Sequence, residues 1–261
     1  MSPSIRFAVR CICLLSLLST AVISPAKAEE FYEIRSYVLG NNGDAKAIDD
    51  YLSNALLPAL ERLEVGPTGA LSNAKNDATD SQRVVLVIPY SSAEQVAIVK
   101  KQLDQDEKYQ ASARSYLDRT ADDAPYQRIE SELLIAMDCM PLLKVSEDSL
   151  ENKERIYELR IYESANEGLG ELKVHMFNNG EVPIFLDCGI QPVFIGQALI
   201  GPYTPNLTYL TVYPSEASRT KSWIDFRKHP DWQVLKKVKK YQGTVSKIHK
   251  YLLVPKSYSQ M

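Results

Sequence analysis

The chain has 261 residues, 30 Lys/Arg against 33 Asp/Glu, and an aromatic content of 9% that includes 15 tyrosines. A net charge of −3 argues against nucleic acid or an anionic membrane surface as the main partner, since both call for a basic footprint. A 45% hydrophobic share is enough to bury a core.

The first 28 residues read as an export signal. Arg6 and Arg10 make a basic start, residues 11–23 are largely apolar, and Ala26-Lys27-Ala28 offers the small residues of a cleavage site. That apolar run is too short for an anchor, which takes ~20 residues. No later stretch is long and apolar enough either. The expectation is cleavage before Glu29 and an exported protein, periplasmic or secreted. Cleavage leaves 27 Lys/Arg and 33 Asp/Glu, a net charge of −6. Residues 29–142 carry −9 and residues 143–261 carry +3. Cys139 and Cys188 follow the signal; they either pair in an oxidising compartment or stay as buried thiols.

Beyond the signal the chain matches itself at an offset of 125. Phe31-Tyr32-Glu33-Ile34-Arg35-Ser36-Tyr37 returns as Ile156-Tyr157-Glu158-Leu159-Arg160-Ile161-Tyr162, and Val87-Ile88-Pro89 returns as Val212-Tyr213-Pro214. Two copies of one folding unit are expected, at residues 29–139 and 155–261, with 140–154 as linker. In copy one the pattern predicts strand 31–38, helix 44–64, strands 68–74 and 82–89, helix 92–118 and strand 129–138. Ser91 and Glu94 have capping-box spacing. In copy two it predicts strand 155–162, a helix over 166–187 interrupted near Gly180 and Pro183, and strands 191–200 and 207–213. Ser215 then caps a helix that His229-Pro230 breaks, and a last strand covers about 244–254. The order βαββαβ makes a four-stranded antiparallel sheet with helices on one face and a bare face that needs cover. The expected fold is α+β, two ferredoxin-like units closing on each other.

Strand alternation sorts the side chains. Tyr157, Leu159 and Ile161 suit helix packing, which points Glu158, Arg160 and Tyr162, with Glu33, Arg35 and Tyr37, into the space between the sheets. On the third strand of copy two, Tyr209, Thr211 and Tyr213 fall inward; the 125 offset matches them to Val84, Leu86 and Ile88. One apolar wall facing a few convergent polar groups suits a small-molecule site, and the same charges also make sense as an ion pair fixing strand register.

Tyr157-Glu158-Leu159-Arg160-Ile161-Tyr162, Asn206 and Tyr209, Arg219 and Trp223, and His229-Pro230-Asp231-Trp232 together resemble the NIPSNAP domain of the dimeric α/β-barrel superfamily. The resemblance covers copy two and, more weakly, copy one. It implies a barrel of two ferredoxin-like sheets, in a superfamily that includes cofactor-free monooxygenases, haem-degrading enzymes and isomerases.

His175, His229 and His249 have no metal-ligand spacing, and no nucleophile elbow, phosphate loop or dinucleotide fingerprint is present. No metal or cofactor is expected. Asn206-Leu207-Thr208 fits a strand start. The expected role is binding of a small, partly apolar organic molecule, with Arg160, Tyr162, Tyr213, Arg219, Glu33 and Arg35 as ligand-binding residues. Glu158 and Tyr209 would be acid/base groups for proton transfer or cofactor-free oxygen chemistry; a catalytic Glu158 replaced by Gln would lose turnover but little stability. The alternative is a non-enzymatic interaction module with a packed barrel. Monomer and homo-oligomer both fit.

Overall fold

The computed structural model describes residues 29–75, 77 and 82–261; the segment read as an export signal lies outside the described residues. Eight antiparallel strands form one closed barrel. The first half supplies β1 (Phe31–Val38), β2 (Gly69–Asn73), β3 (Arg83–Tyr90) and β4 (Arg128–Ala136). The second supplies β5 (Ile156–Glu163), β6 (Gln191–Ile200), β7 (Asn206–Tyr213) and β8 (Lys247–Pro255). Within each half the order is the same, β4-β1-β3-β2 and β8-β5-β7-β6, and the halves join where β2 pairs β8 and β4 pairs β6. Residues after β8 reinforce the first seam. Gln260 Oε1 accepts from the Thr68 N–H at 2.6 Å, and Lys256 Nζ meets Asp49 at 2.9 Å.

Helices cover the outside of each half. In the first these are α1 (Ala45–Tyr51), α2 (Leu57–Arg62), α3 (Ala93–Gln105) and α4 (Glu107–Leu117). A short α5 (Glu147–Glu151), capped by Ser146, sits in the linker. The second half carries α6 (Glu167–Met176), α7 (Val182–Asp187), α8 (Glu216–Lys228) and α9 (Pro230–Leu235). No helix among the described residues is long and apolar enough to cross a membrane. Cys139 and Cys188 are not bonded to each other.

Two predicted long helices are interrupted by wide, π-type turns, Leu52–Leu56 between α1 and α2 and Phe177–Glu181 between α6 and α7. A third, predicted as 92–118, divides at Asp106. This residue leaves helical geometry (φ −80°, ψ 99°) and its carboxylate accepts from the Tyr109 N–H, so the chain stops one helix and caps the next with one side chain. The capping of α3 is shifted by one residue from expectation: Ser92, not Ser91, accepts from the N–H three residues on, at Gln95. Ser215 caps α8 as predicted, accepting from Ser218.

The expected faces are reversed. Tyr32, Ile34, Val85, Val87, Leu134, Tyr157, Leu159, Ile161, Leu210, Val212 and Leu253 pack together in the barrel lumen. Tyr37 belongs to the layer between first-half strands and helices, and Tyr162, Tyr209 and Tyr213 to its second-half counterpart. Alternation marks two faces but not which one meets a helix, because both are buried here. The deciding factor is room and partners. An eight-stranded barrel has an interior just wide enough for side chains to fill, whereas the helices supply the hydrogen-bond partners that a buried charge needs.

Ladder register also corrects the repeat. Glu33 pairs with Ile88, but Glu158 pairs with Thr211. From β3 through α3 the structural offset is therefore 123, as the matched caps Ser92 and Ser215 confirm. Tyr209, Thr211 and Tyr213 correspond to Leu86, Ile88 and Tyr90. Trp223 corresponds to Lys100, and Arg219 to Val96.

Candidate ligand-binding site

The second half holds a closed network between β5, β7 and α8. Glu158 is fully buried. Its Oε1 accepts from Arg160 Nε at 2.6 Å, and its Oε2 accepts from Arg219 Nη1 and Trp223 Nε1, each at 2.8 Å. The Arg160 guanidinium lies 3.6 Å from the centre of the Trp223 ring and donates through Nη1 to the Tyr162 hydroxyl at 3.2 Å. Tyr209 donates to the same hydroxyl at 2.7 Å. Tyr213 accepts from Thr211 at 3.2 Å. Phe177, Phe185 and Phe226 pack ring against ring around Tyr209 and Trp223. Burial holds the Tyr209 hydroxyl well above the ordinary tyrosine range, so it stays protonated near neutral pH. Six of the expected site residues thus come together here, with Thr211 and Glu216 completing the network; Glu216 accepts from Arg219 Nε at 2.7 Å and Nη2 at 2.6 Å.

Beside this network lies a pair that the sequence reading did not find. Lys173 Nζ meets Glu181 Oε2 at 2.7 Å, with side chains 5% and 2% exposed. Burial raises the Glu181 carboxyl pKa, and Lys173 works against that rise. The pair spans the π-type turn, a geometry that helical spacing does not anticipate.

The first half repeats the floor but not the filling. Glu33 Oε1 accepts from Arg35 Nε at 2.7 Å and Ser131 Oγ at 3.3 Å; its Oε2 accepts from Arg35 Nη2 at 3.0 Å and the Tyr90 hydroxyl at 3.2 Å. Above this floor is a cavity of 540 Å³ between β1, β3 and helices α2 to α4. Leu56, Leu60, Ile88, Val96, Val99 and Leu103 form apolar walls, and the Tyr51 and Tyr109 hydroxyls, 2.9 Å apart, reach in from the helices. Lys100 stands where the second half has Trp223. Its side chain is 77% exposed and paired with Asp104 at 3.5 Å, so it leaves the cavity open instead of covering Arg35. The volume falls within the ≈ 300–1,000 Å³ usual for small-molecule pockets.

Glu33 and Arg35 are therefore the expected residues that line open space. Tyr51, Tyr90 and Tyr109 were missed; Tyr90 could have been found only from the ladder register, and Tyr109 only from the Asp106 break. Among the histidines, His229 caps α9 by accepting from the Asp231 N–H, His175 Nδ1 bonds the Tyr241 hydroxyl at 2.7 Å, and His249 bonds Glu163.

Comparison with known proteins agrees with the second half's layout. Residues 157–260 match the NIPSNAP family model. The match lies entirely within the second half. Two solved structures share the whole barrel: a monooxygenase candidate from Fusobacterium nucleatum at 11% identity, covering 87% of this chain and 93% of its own, with a TM-score of 0.54, and another from Lactobacillus acidophilus at 11% identity, covering 87% and 94%, with a TM-score of 0.51. These establish the fold. An uncharacterised NIPSNAP-like domain protein from Burkholderia xenovorans aligns with 41% of this chain and 90% of its own, at 21% identity and a TM-score of 0.38. None of the curated proteins matches the sequence. The match to the NIPSNAP model begins at Tyr157 and so takes in the Glu158, Arg160, Tyr209 and Trp223 network, while the open cavity lies outside the matched residues.

Proposed function

We propose that this chain is an exported protein of two fused ferredoxin-like βαββαβ copies, one a NIPSNAP domain, that binds a small, partly apolar organic molecule in its first half. The strand order shared by the two halves supports the two copies. Arg6, Arg10 and Ala26-Lys27-Ala28 support export. The observation that carries the binding reading is the 540 Å³ cavity over Glu33 and Arg35, in the space that Trp223 fills in the NIPSNAP domain. Arg35 and the Tyr51 and Tyr109 hydroxyls orient the ligand, and the helices supply its apolar contacts.

On this reading Glu158, Arg160, Tyr162, Tyr209, Tyr213 and Arg219 anchor α8 to its sheet. Each polar group there has a protein partner, and Trp223 sits where a substrate would have to lie. The proton-transfer and cofactor-free oxygen chemistry expected for Glu158 and Tyr209 gains no support from that packing, although the two fold neighbours are named as monooxygenase candidates. The interaction-module alternative draws on the filled lumen and applies to the second half.

Native mass spectrometry of protein purified from its own host tests the proposal. A retained small mass is expected in the native chain and absent from Lys100→Trp, which puts an indole where the second half has one. Retention by both proteins would remove the cavity from the argument.

A further inference from the structure

The first-half floor decides the charge of what it binds, an inference that rests on the binding reading above. A carboxylate offers about four acceptor positions on its two oxygens. Glu33 uses them on Arg35 twice, on Tyr90 and on Ser131. No acceptor on this carboxylate remains for a ligand's amine, and the neighbouring guanidinium repels a cation. Arg35 carries five N–H donors and spends two on Glu33, with the Tyr37 hydroxyl beside it. Its charge is already matched by Glu33. A ligand carboxylate would be a second anion on one guanidinium, brought out of water without a second cation on the floor. Of the two hydrogens on the Tyr51 and Tyr109 hydroxyls, one bridges the pair and the other is left to donate. The floor therefore offers donors without net charge, under apolar walls.

We infer that the cavity takes a neutral, mostly apolar molecule that turns one acceptor oxygen (a ketone, aldehyde or ester carbonyl) toward Arg35 and the tyrosine pair. In the second half the charges balance as well, Glu158 and Glu216 against Arg160 and Arg219, and an indole fills the space that a ligand would use.

Three probes on one aromatic body separate the possibilities: 2-acetylnaphthalene, 2-naphthoate and 2-naphthylmethylammonium, titrated by NMR line shifts against the full mature chain and against Lys100→Trp. The ketone should bind at least about tenfold more tightly than either charged probe, because Lys100 and Asp104 at the cavity rim are solvated and paired with each other, and the floor offers a charged group no partner to offset its desolvation. Lys100→Trp should lose that binding while its thermal unfolding midpoint holds or rises. If either charged probe binds as well as the ketone and is lost in Lys100→Trp, the charge inference is overturned and the cavity stands. If none of the three is weakened by Lys100→Trp, the cavity reading falls with it.

Discussion

One strand motif, Tyr-Glu-x-Arg-x-Tyr, is built into two different environments in this molecule. In the second half Glu158 is sealed under Trp223 and Arg219, and the ion pair is part of the core. In the first half the matching helix positions are Lys100 and Val96, and the same ion pair becomes the floor of a cavity. The difference teaches that a buried Glu–Arg pair on a strand is not in itself a site. Whether it binds depends on one helix position about two turns after the cap, where a large indole closes the space and a solvated lysine leaves it.

The sharpest way to break this comparison is to remove the carboxylate from each half. Glu158→Gln leaves Arg160 without an anion in a sealed layer, while Arg219 keeps Glu216, and should cost ~3–5 kcal/mol. Glu33→Gln should cost less, ~1–2 kcal/mol, because water entering the cavity can take over the freed donors. Urea unfolding of both variants measures this. Equal losses would mean that the halves are equally closed. A small loss for Glu158→Gln would return Glu158 to the catalytic role that its sequence suggests.

A second contrast concerns Lys173 and Glu181, whose first-half counterparts are Ile48 and Leu56, both buried in the helix layer. Lys173→Ile alone strands Glu181 and should cost ~3–5 kcal/mol, whereas Lys173→Ile with Glu181→Leu should restore most of it, since a buried pair often exchanges for apolar residues at little net cost. Calorimetric unfolding of the single and double variants decides. If the double variant is no better than the single, the pair does something the apolar version cannot.

Much of the fold was legible beforehand, and particular residues explain what was not. All eight strands were found because each is a short run bounded by turn residues, and the expectation of two copies made a closed barrel the natural cover for two bare faces. The side-chain faces were inverted because Tyr157, Leu159 and Ile161 are apolar enough for either layer; only the partners waiting on α8 decide where Glu158 and Arg160 go. The 125 offset misled at Pro89 and Pro214, which align in sequence although Pro89 lies within β3 and Pro214 follows β7. That slip hid both Tyr90 and the exchange of Trp223 for Lys100, and with them the cavity. The motif itself was visible; its openness depends on a helix residue with no strand signature.

A smaller effect distinguishes the barrel end near β4 from both helix layers. Glu132 points into the lumen, is 5% exposed, and its Oε1 has no hydrogen-bond partner. Burial raises its pKa from 4.5 to about 6, against the Thr208 and Asn206 side-chain hydrogen bonds that lower it. A raised carboxyl pKa means that the folded state favours the proton. The fold is therefore at its best, as far as this group is concerned, below about pH 4.5. It loses that advantage as pH rises through about 6, by ~2 kcal/mol in all at 1.36 kcal/mol per unit. Glu132→Gln stays neutral throughout. It should match the native chain at pH 4 and exceed its stability by ~2 kcal/mol above pH 7, read from unfolding midpoints across pH. A constant gap between the two curves would show that Glu132 does not titrate in this range.

The smallest effect lies where each half divides its second long helix. In the second half the break is set by Pro230 at the start of α9 as well as by His229, whose ring accepts one N–H. In the first half there is no proline; Asp106 ends α3 and caps α4 through its bond from the Tyr109 N–H at 2.9 Å, and it also pairs with Arg62. Asp106→Ala removes the cap and should cost ~1 kcal/mol. His229→Ala should cost less, because the proline ring still disfavours a continuous helix. The larger consequence is positional. Tyr109 follows the cap by three residues and sets its hydroxyl against Tyr51 at the cavity wall. A first half that loses the cap should bind the naphthyl ketone more weakly by a few-fold, about the weight of one neutral hydrogen bond, while His229→Ala leaves that affinity alone. Unchanged binding in Asp106→Ala would show that α4 is held by its packing and that the tyrosine pair owes nothing to the break.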